Sequence, residues 1–140
     1  MTAKRTTRFD KRDQKLLALW AADCAEHVLP YFEEKYPKDD RPRKAIEAAR
    51  AWVRGEILMM KGRAAASAAH AAAREANDAA ARAAARAAGH ASGTAHAAGH
   101  ALAAAAYAIK AVTADGDSVS KERAWQRRRL PKRLRLNLNP

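Results

Sequence analysis

Large apolar side chains are concentrated in the first sixty residues, where many recur at intervals of three or four positions. The series from Leu16 through Trp20 to Tyr31 follows this spacing. It predicts a first helix from about position 10 to position 35. Asp10 is placed to cap its start. Pro30 lacks a backbone donor and clashes with the preceding turn, so we expect the helix to kink or restart there.

A turn with two prolines and two aspartates leads into a second predicted helix. Asp39 or Asp40 is placed to cap this helix, and Pro42 suits its first turn. The apolar residues that follow predict a helix over 41–60. Gly62 is expected to mark its end.

Alanine dominates residues 64–114, where it fills 29 of 51 positions. It is the best helix former, but it buries little area, so such a helix is stable only when a neighbouring helix comes close. Breaks are expected at Asn77-Asp78 and between Gly89 and Thr94. The prediction is an all-α fold, a compact bundle of about five to six helices with an alanine-rich, closely packed inner wall. The large side chains that fill the core beside these alanines should come from the first sixty positions: Leu16, Leu17, Leu19, Trp20, Val28, Leu29, Tyr31, Phe32, Ile46, Trp52, Ile57, Leu58 and Met59.

The last part of the chain predicts one more helix and a tail. The helix should run from about Ser118 to Arg129, and Pro131 should stop it. Leu134, Leu136 and Leu138 then alternate with polar residues, which predicts an extended tail lying on the bundle. We therefore expect a basic N-terminal arm over 1–9, a helical bundle over 10–130 and a basic C-terminal tail over 131–140.

The positive charge is concentrated at the two ends of the chain. The net charge is +12, of which residues 1–15 contribute +4 and residues 121–140 contribute +7. The 105 residues between them have a net charge of +1. Nucleic-acid binding, if present, would therefore depend on the arms and fall steeply with salt. A body of this charge is better suited to an acidic or neutral protein target than to a basic nuclease cleft.

Cys24 is the only cysteine, so no internal disulfide can form and a reducing compartment is the simplest expectation. The first residues are charged and do not resemble a secretory signal. The longest stretch of low charge contains three histidines and three glycines, so membrane insertion is not expected. These features predict a cytoplasmic location.

Three histidines raise the question of a metal site. His96 and His100 are four residues apart and would share a face of one continuous helix. His90 lies about 120° away from His96 around such a helix, so a shared site would need a break near Gly93 or a ligand from another helix. The alternative is a structural stripe with hydrogen bonds to carboxylates such as Asp23 and Glu26. We favour that alternative and expect no metal and no cofactor.

A polar stripe recurs every three or four residues down the alanine wall, at Arg63, Ser67, His70, Arg74, Asp78, Arg82 and Arg86. It is either a solvent face or the lining of a groove. Arginine is preferred where flat, bidentate recognition of anions is needed. The arginines at the start of the second helix should reach acidic side chains such as Asp23, Glu26 or Asp39. The candidate binding residues are Asp23, Glu26, His27, Arg41, Arg43, Glu47, His70, Arg74, Arg82, Arg86, His90, His96, His100 and Tyr107.

The residues between about positions 16 and 131 resemble the Imm-5-like family of bacterial immunity proteins. The most particular element is Asp40-Arg41-Pro42-Arg43. The resemblance implies an all-helical protein that binds and neutralises a cognate toxin. The other matching segments are 22–30, 44–52, 55–56, 68–74, 88–90, 94–96, 100–101, 105–108, 122–126 and 130–131.

These observations favour a non-catalytic protein that binds another protein, with a toxin domain as the partner that the resemblance suggests. Two alternatives remain open at this point. One is a small-ligand or metal-binding bundle that uses the histidine and arginine wall, and the other is a non-specific nucleic-acid accessory that uses the basic arms. The sequence contains no phosphate-binding glycine loop, CxxC pair or HExxH motif, and no nucleophile with an evident base. It leaves the oligomeric state open.

Overall fold

The computed structural model describes residues 9–138. Within this range the chain forms seven helices and no strand, which confirms the all-α prediction. Asp10, Asp78 and Ser118 each cap a helix by accepting a hydrogen bond from a backbone N–H three residues later. The helices are α1 (Lys11–Glu33), α2 (Arg41–Val53), α3 (Met59–Glu75), α4 (Ala79–Gly93), α5 (His100–Ala114), α6 (Val119–Arg129) and α7 (Lys132–Leu138).

Helix α4 lies at the centre of the bundle and packs against α1, α2, α3 and α5. Its buried residues are all alanine, glycine or serine, so neighbouring helix backbones can approach it closely. The bulk comes largely from α1, where Leu17, Trp20 and Phe32 are almost fully buried. The predicted alanine-rich inner wall is thus confirmed.

Helix α2 ends at Val53, seven residues before its predicted end. Gly55 adopts a φ of +78°, a conformation that glycine accepts readily. The N–H of Glu56 then donates to the carbonyl of Ala51 at 2.9 Å, as in the usual glycine-terminated helix end. The second helix therefore does not reach Met60, and Gly62 lies inside α3 instead of ending a helix.

Two other predicted breaks differ from the structure. Helix α1 passes through Pro30 without a restart and continues to Glu33. Pro30 lacks a backbone N–H, but its carbonyl accepts the N–H of Glu34 at 3.0 Å, so helical hydrogen bonding resumes after the proline. Helix α4 passes through Gly89, and the break before α5 lies at residues 94–99. Gly89 is thus a packing residue and not a helix terminator.

The C-terminal tail is helical where an extended segment was predicted. Residues 132–138 form α7, since lysine, arginine and leucine are good helix formers and Pro131 precedes the first turn. Leu130 and Leu134 are each only 1% exposed, and Arg133 forms an ion pair with Asp13 of α1. Residues 1–8 of the predicted N-terminal arm lie outside the described residues, as do the side chains of Leu136 and Leu138.

None of the helices described between residues 9 and 138 is long and apolar enough to cross a membrane.

Candidate functional site

Three helices bring together a histidine cluster, which we define as His70 of α3, His90 of α4 and His100 of α5. The Nδ1 atoms of His90 and His100 are 2.9 Å apart, so one nitrogen donates a proton and the other accepts it. The ring of His70 meets that of His90 edge-on, with centroids 4.8 Å apart. The other neighbour of His90 is Tyr107, whose ring is stacked at 5.3 Å and an angle of 8°.

Two glycines of α4 make room for this cluster. A Cβ atom on Gly89 would lie 2.6 Å from Nε2 of His70, and one on Gly93 would lie 3.0 Å from Cγ of His100. These small residues of α4 thus leave room for the imidazole rings of α3 and α5. Gly99 is an exception, because a Cβ atom there would meet no other residue within 4 Å.

The surroundings of the cluster favour neutral imidazoles. Burial lowers the pKa of His90 to about 4, and the neighbouring His70, His100 and Arg86 contribute in the same direction. Burial also lowers the pKa values of His70 and His100, with further contributions from nearby cations and histidines. The Nδ1 atom of His70 is buried and has no hydrogen-bond partner among the residues that the structure describes. The cluster is therefore held together by neutral rings.

The three histidines first considered as metal ligands do not form one set. His96 is exposed in the turn between α4 and α5, and its ring centroid is 6.5 Å from that of His100. The side chains described in the structure include no group of three or more His, Cys, Asp or Glu residues arranged to hold a metal ion. The helix break at 94–99 is the physical reason that His96 and His100 do not share a helical face.

The acidic candidates of α1 form ion pairs within the protein. Asp23 contacts Arg50 of α2 at 2.9 Å and Arg129 of α6 at 3.2 Å. Glu26 contacts the same Arg50 at 2.7 Å. These carboxylates thus bind arginines, and the prediction that they serve as partners of the histidine stripe is wrong.

His27 lies in the same part of the molecule, between α1 and α6. Its Nδ1 atom is 2.8 Å from a carboxylate oxygen of Glu122, which is only 4% exposed. Its ring stacks on Trp125 with centroids 3.8 Å apart and an angle of 15°. The acidic partner of His27 is therefore Glu122, which comes from another helix.

The arginines at the start of α2 reach carboxylates, as predicted. Arg41 contacts Asp39 and Glu75, both at 2.7 Å, and its hydrogen bonds lower the pKa of both carboxyl groups. Arg43 donates two hydrogen bonds of 2.7 Å to Glu33. Of the three predicted partners, Asp23, Glu26 and Asp39, these arginines contact only Asp39. Glu47 is exposed on the surface of α2.

The remaining arginine candidates lie on two helices. The predicted stripe bends at residues 76–78, where α3 ends and α4 begins. Arg74 is exposed on α3, whereas Arg82 and Arg86 are partly buried on α4. Arg82 and Arg86 line a cavity of about 230 Å³ with Tyr107 and Lys110 of α5, on a floor of alanines. We call this cavity the α4–α5 cleft.

One exposed surface of the structure contains apolar residues that were predicted to lie in the core. Because α2 ends early, apolar side chains occupy residues 57–60, which lead into α3 and begin its first turn, and we call this segment the apolar connection. Leu58 is 81% exposed and Met60 is 64% exposed. Beside them, Arg54 and Glu56 pair at 2.8 Å. The signal for this surface was Gly55, two residues after an otherwise regular helix.

Cys24 is fully buried in α1. Burial, together with the nearby Glu122 and Asp23, raises the pKa of its thiol. A thiol in these surroundings is not activated as a nucleophile.

A model of the family described as Imm-5 like putative immunity protein matches residues 7–133. This match covers most of the 140 residues, so the chain belongs to that family, as its sequence indicated. No curated protein and no solved structure matches the chain.

Proposed function

We propose that this member of the Imm-5 like family is a non-catalytic binding protein that binds and neutralises a cognate toxin domain. The observation that carries the proposal is the apolar connection. Leu58 and Met60 expose most of their side chains, although the large apolar residues of α1 are mostly buried in the core. Exposed apolar patches with polar surroundings are typical of protein-binding sites.

The apolar connection has the composition of an interface centre. Methionine adapts its shape to different partners, and burying a leucine or methionine side chain contributes about 1.5–3 kcal/mol before the costs of association. The charged residues Arg54, Glu56 and Lys61 lie next to it in the chain and would form a polar rim.

The ion pairs support binding over catalysis. Among the candidate acids and bases, Asp23 and Glu26 neutralise arginines, and His27 pairs with Glu122. These contacts join α1 to α2 and α6, which gives the three residues a structural role.

The C-terminal basic residues support a protein partner over a nucleic acid. Arg129 and Arg133 pair with aspartates of α1. Arg135 donates to the backbone carbonyls of Leu130 and Arg128. These three cations stabilise the bundle and are thus less available to phosphates.

The test is binding to the toxin-domain protein encoded beside this gene, measured by titration calorimetry, together with rescue of cells that express the toxin. The variant Leu58→Ser/Met60→Ser should weaken binding by about tenfold or more, because two apolar contacts are lost. Its melting temperature should stay near that of wild type, since both side chains are already exposed.

The control is Leu19→Ser/Leu102→Ser, which makes the same kind of change at less exposed positions of α1 and α5, 38% and 37% exposed, and its melting temperature is measured to show that it is folded at the assay temperature. This control should retain affinity and rescue. Wild-type protein that neither binds nor protects against the neighbouring toxin would contradict the proposed function. Equal losses of toxin affinity in the two double variants would contradict the assignment of the apolar connection as the toxin-binding surface.

A further inference from the structure

The α4–α5 cleft concentrates positive charge without a carboxylate to neutralise it. Among the side chains described between residues 9 and 135, six arginines form ion pairs with Asp or Glu. Arg82, Arg86 and Lys110 have no such pair in that part of the chain. Asp78 precedes Arg82 by one turn, but it forms no ion pair with Arg82 and instead caps α4 by accepting the N–H of Ala81.

The arrangement of these charges is unfavourable for the isolated protein. Arg82 and Arg86 are four residues apart on α4, and like charges at this spacing destabilise a helix by a few tenths of a kcal/mol. Both side chains are partly buried, which increases their interaction with each other and with Lys110. Within the described part of the chain, the side chain of Arg82 makes one hydrogen bond, of 3.3 Å, to the carbonyl of Ala76. A local arrangement that costs stability, without an acidic side chain paired to these cations among the described residues, points to a binding site.

We propose that the α4–α5 cleft binds the carboxylates of an acidic segment of the partner protein. This inference rests on the proposed function and specifies the chemistry of the partner. Two guanidinium groups on one side of α4 suit flat, bidentate recognition of carboxylates. Lys110 adds a third cation from α5, with its Nζ atom 4.7 Å from the centre of the Tyr107 ring. A volume of about 230 Å³ accommodates one or two acidic side chains.

The surroundings of Tyr107 favour an acidic protein segment over a nucleic acid. Single-stranded nucleic acids bind where bases can stack on free aromatic rings. The ring of Tyr107 already stacks on His90 and lies beneath the ammonium group of Lys110. The cleft thus offers hydrogen-bond donors to carboxylates but no free stacking platform.

The first experiment uses a fluorescent hexaglutamate peptide and a hexaglutamine peptide, with binding measured by anisotropy at physiological salt. Arg82→Gln/Arg86→Gln should bind hexaglutamate about tenfold more weakly than wild type. The charge-matched control is Arg12→Gln/Arg128→Gln, which removes two exposed arginines elsewhere and should change the affinity by less than about twofold. Circular dichroism should show the same helical content in all proteins.

Three outcomes of the peptide experiment would overturn the inference. Equal losses in the two double variants would show that hexaglutamate responds only to net charge. Equal binding of hexaglutamine would remove the role of carboxylates. If the binding of a single-stranded DNA probe depends on Arg82 and Arg86 but the binding of hexaglutamate does not, the cleft is a nucleic-acid site.

The second experiment titrates the neighbouring toxin-domain protein with the same variants and separates this inference from the proposed function. Loss of toxin binding in Arg82→Gln/Arg86→Gln, but not in Arg12→Gln/Arg128→Gln, would support the inference. Toxin binding that is intact in both would overturn it and leave the proposed function standing. If wild-type protein does not bind the toxin at all, the proposed function fails and with it the assignment of a toxin as the acidic partner.

Discussion

The packing of His70 on Gly89 allows a direct test of the close approach between α3 and α4. In a helix interior, alanine is ordinarily about 1 kcal/mol more stabilising than glycine. A Cβ atom on Gly89 would lie 2.6, 2.7 and 2.9 Å from three ring atoms of His70. We therefore expect Gly89→Ala to destabilise the protein in spite of the better helix propensity of alanine.

The magnitude follows from the two opposing effects. The His70 ring is partly buried and meets the His90 ring at 4.8 Å, so moving it aside would weaken this packing. Overpacking of this kind costs about 1–3 kcal/mol, and subtracting the helix-propensity gain of about 1 kcal/mol leaves a net loss of up to about 2 kcal/mol. Gly62 of α3 is the control, because its Cβ would meet Ala95 and Ser92 at an ordinary 3.4 Å. Gly62→Ala should be neutral or stabilising by up to about 1 kcal/mol.

The assay is urea unfolding followed by circular dichroism at neutral pH. A double-mutant cycle with His70→Ala makes the test specific, since removal of the ring leaves space for the new methyl group. In that background Gly89→Ala should become neutral or stabilising. The reasoning is refuted if Gly89→Ala is as stable as Gly62→Ala, or if its cost is the same with and without His70.

Two further predictions concern acid stability and the C-terminal helices. Because the pKa values of His70, His90 and His100 are lowered in the folded state, the unfolded chain binds more protons, and stability should fall as pH drops below about 6.5. The folded-state pKa of His90 is about 4. After allowance for its partial exposure, the stability lost through His90 between pH 7 and pH 4 is about 1–2 kcal/mol. Asparagine cannot titrate, so the free energy of urea unfolding of His90→Asn should depend less steeply on pH, and a dependence identical to that of wild type would contradict the argument. A chain that ends at Ser120 loses Leu130 and Leu134, each 1% exposed and each worth about 1.5–3 kcal/mol. It also leaves the indole N–H of Trp20 without the Gln126 carbonyl at 2.8 Å. Its melting temperature should therefore be far below that of a chain lacking residues 1–8, and equal melting temperatures would contradict a packing role for α6 and α7.

Local sequence signals predicted the fold class and several helix starts correctly. Asp10, Asp78 and Ser118 are caps because a short polar side chain can accept a backbone N–H within its own turn. Such contacts lie within a few residues and can be inferred without tertiary structure. The early end of α2 had a local signal too, since glycine commonly ends a helix in the conformation that Gly55 adopts. The apolar residues that follow Gly55, however, also fit helical spacing and favour a longer helix.

The candidate sites depended on packing that local patterns do not contain. The stacked and hydrogen-bonded rings of His70, His90 and His100 come from three helices. Their contact depends on the positions of α3 and α5 along the axis of α4. The pairing of Asp23 with Arg129 likewise joins residues 106 positions apart in the chain. Charge at each position was visible in the sequence, but the partner that neutralises it was not.

The pairing of charges also divides the candidate residues into two groups with different roles. Asp23, Glu26 and Arg41 have their charges balanced by other helices, so their removal would first affect packing. Arg82 and Arg86 have no ion-pair partner among the residues that the structure describes. They lie near Lys110 because the alanines between them allow α4 and α5 to approach closely. The alanine wall thus does more than fill the interior. It holds together cations that would otherwise separate, and a carboxylate from a partner is the group that would relieve their repulsion.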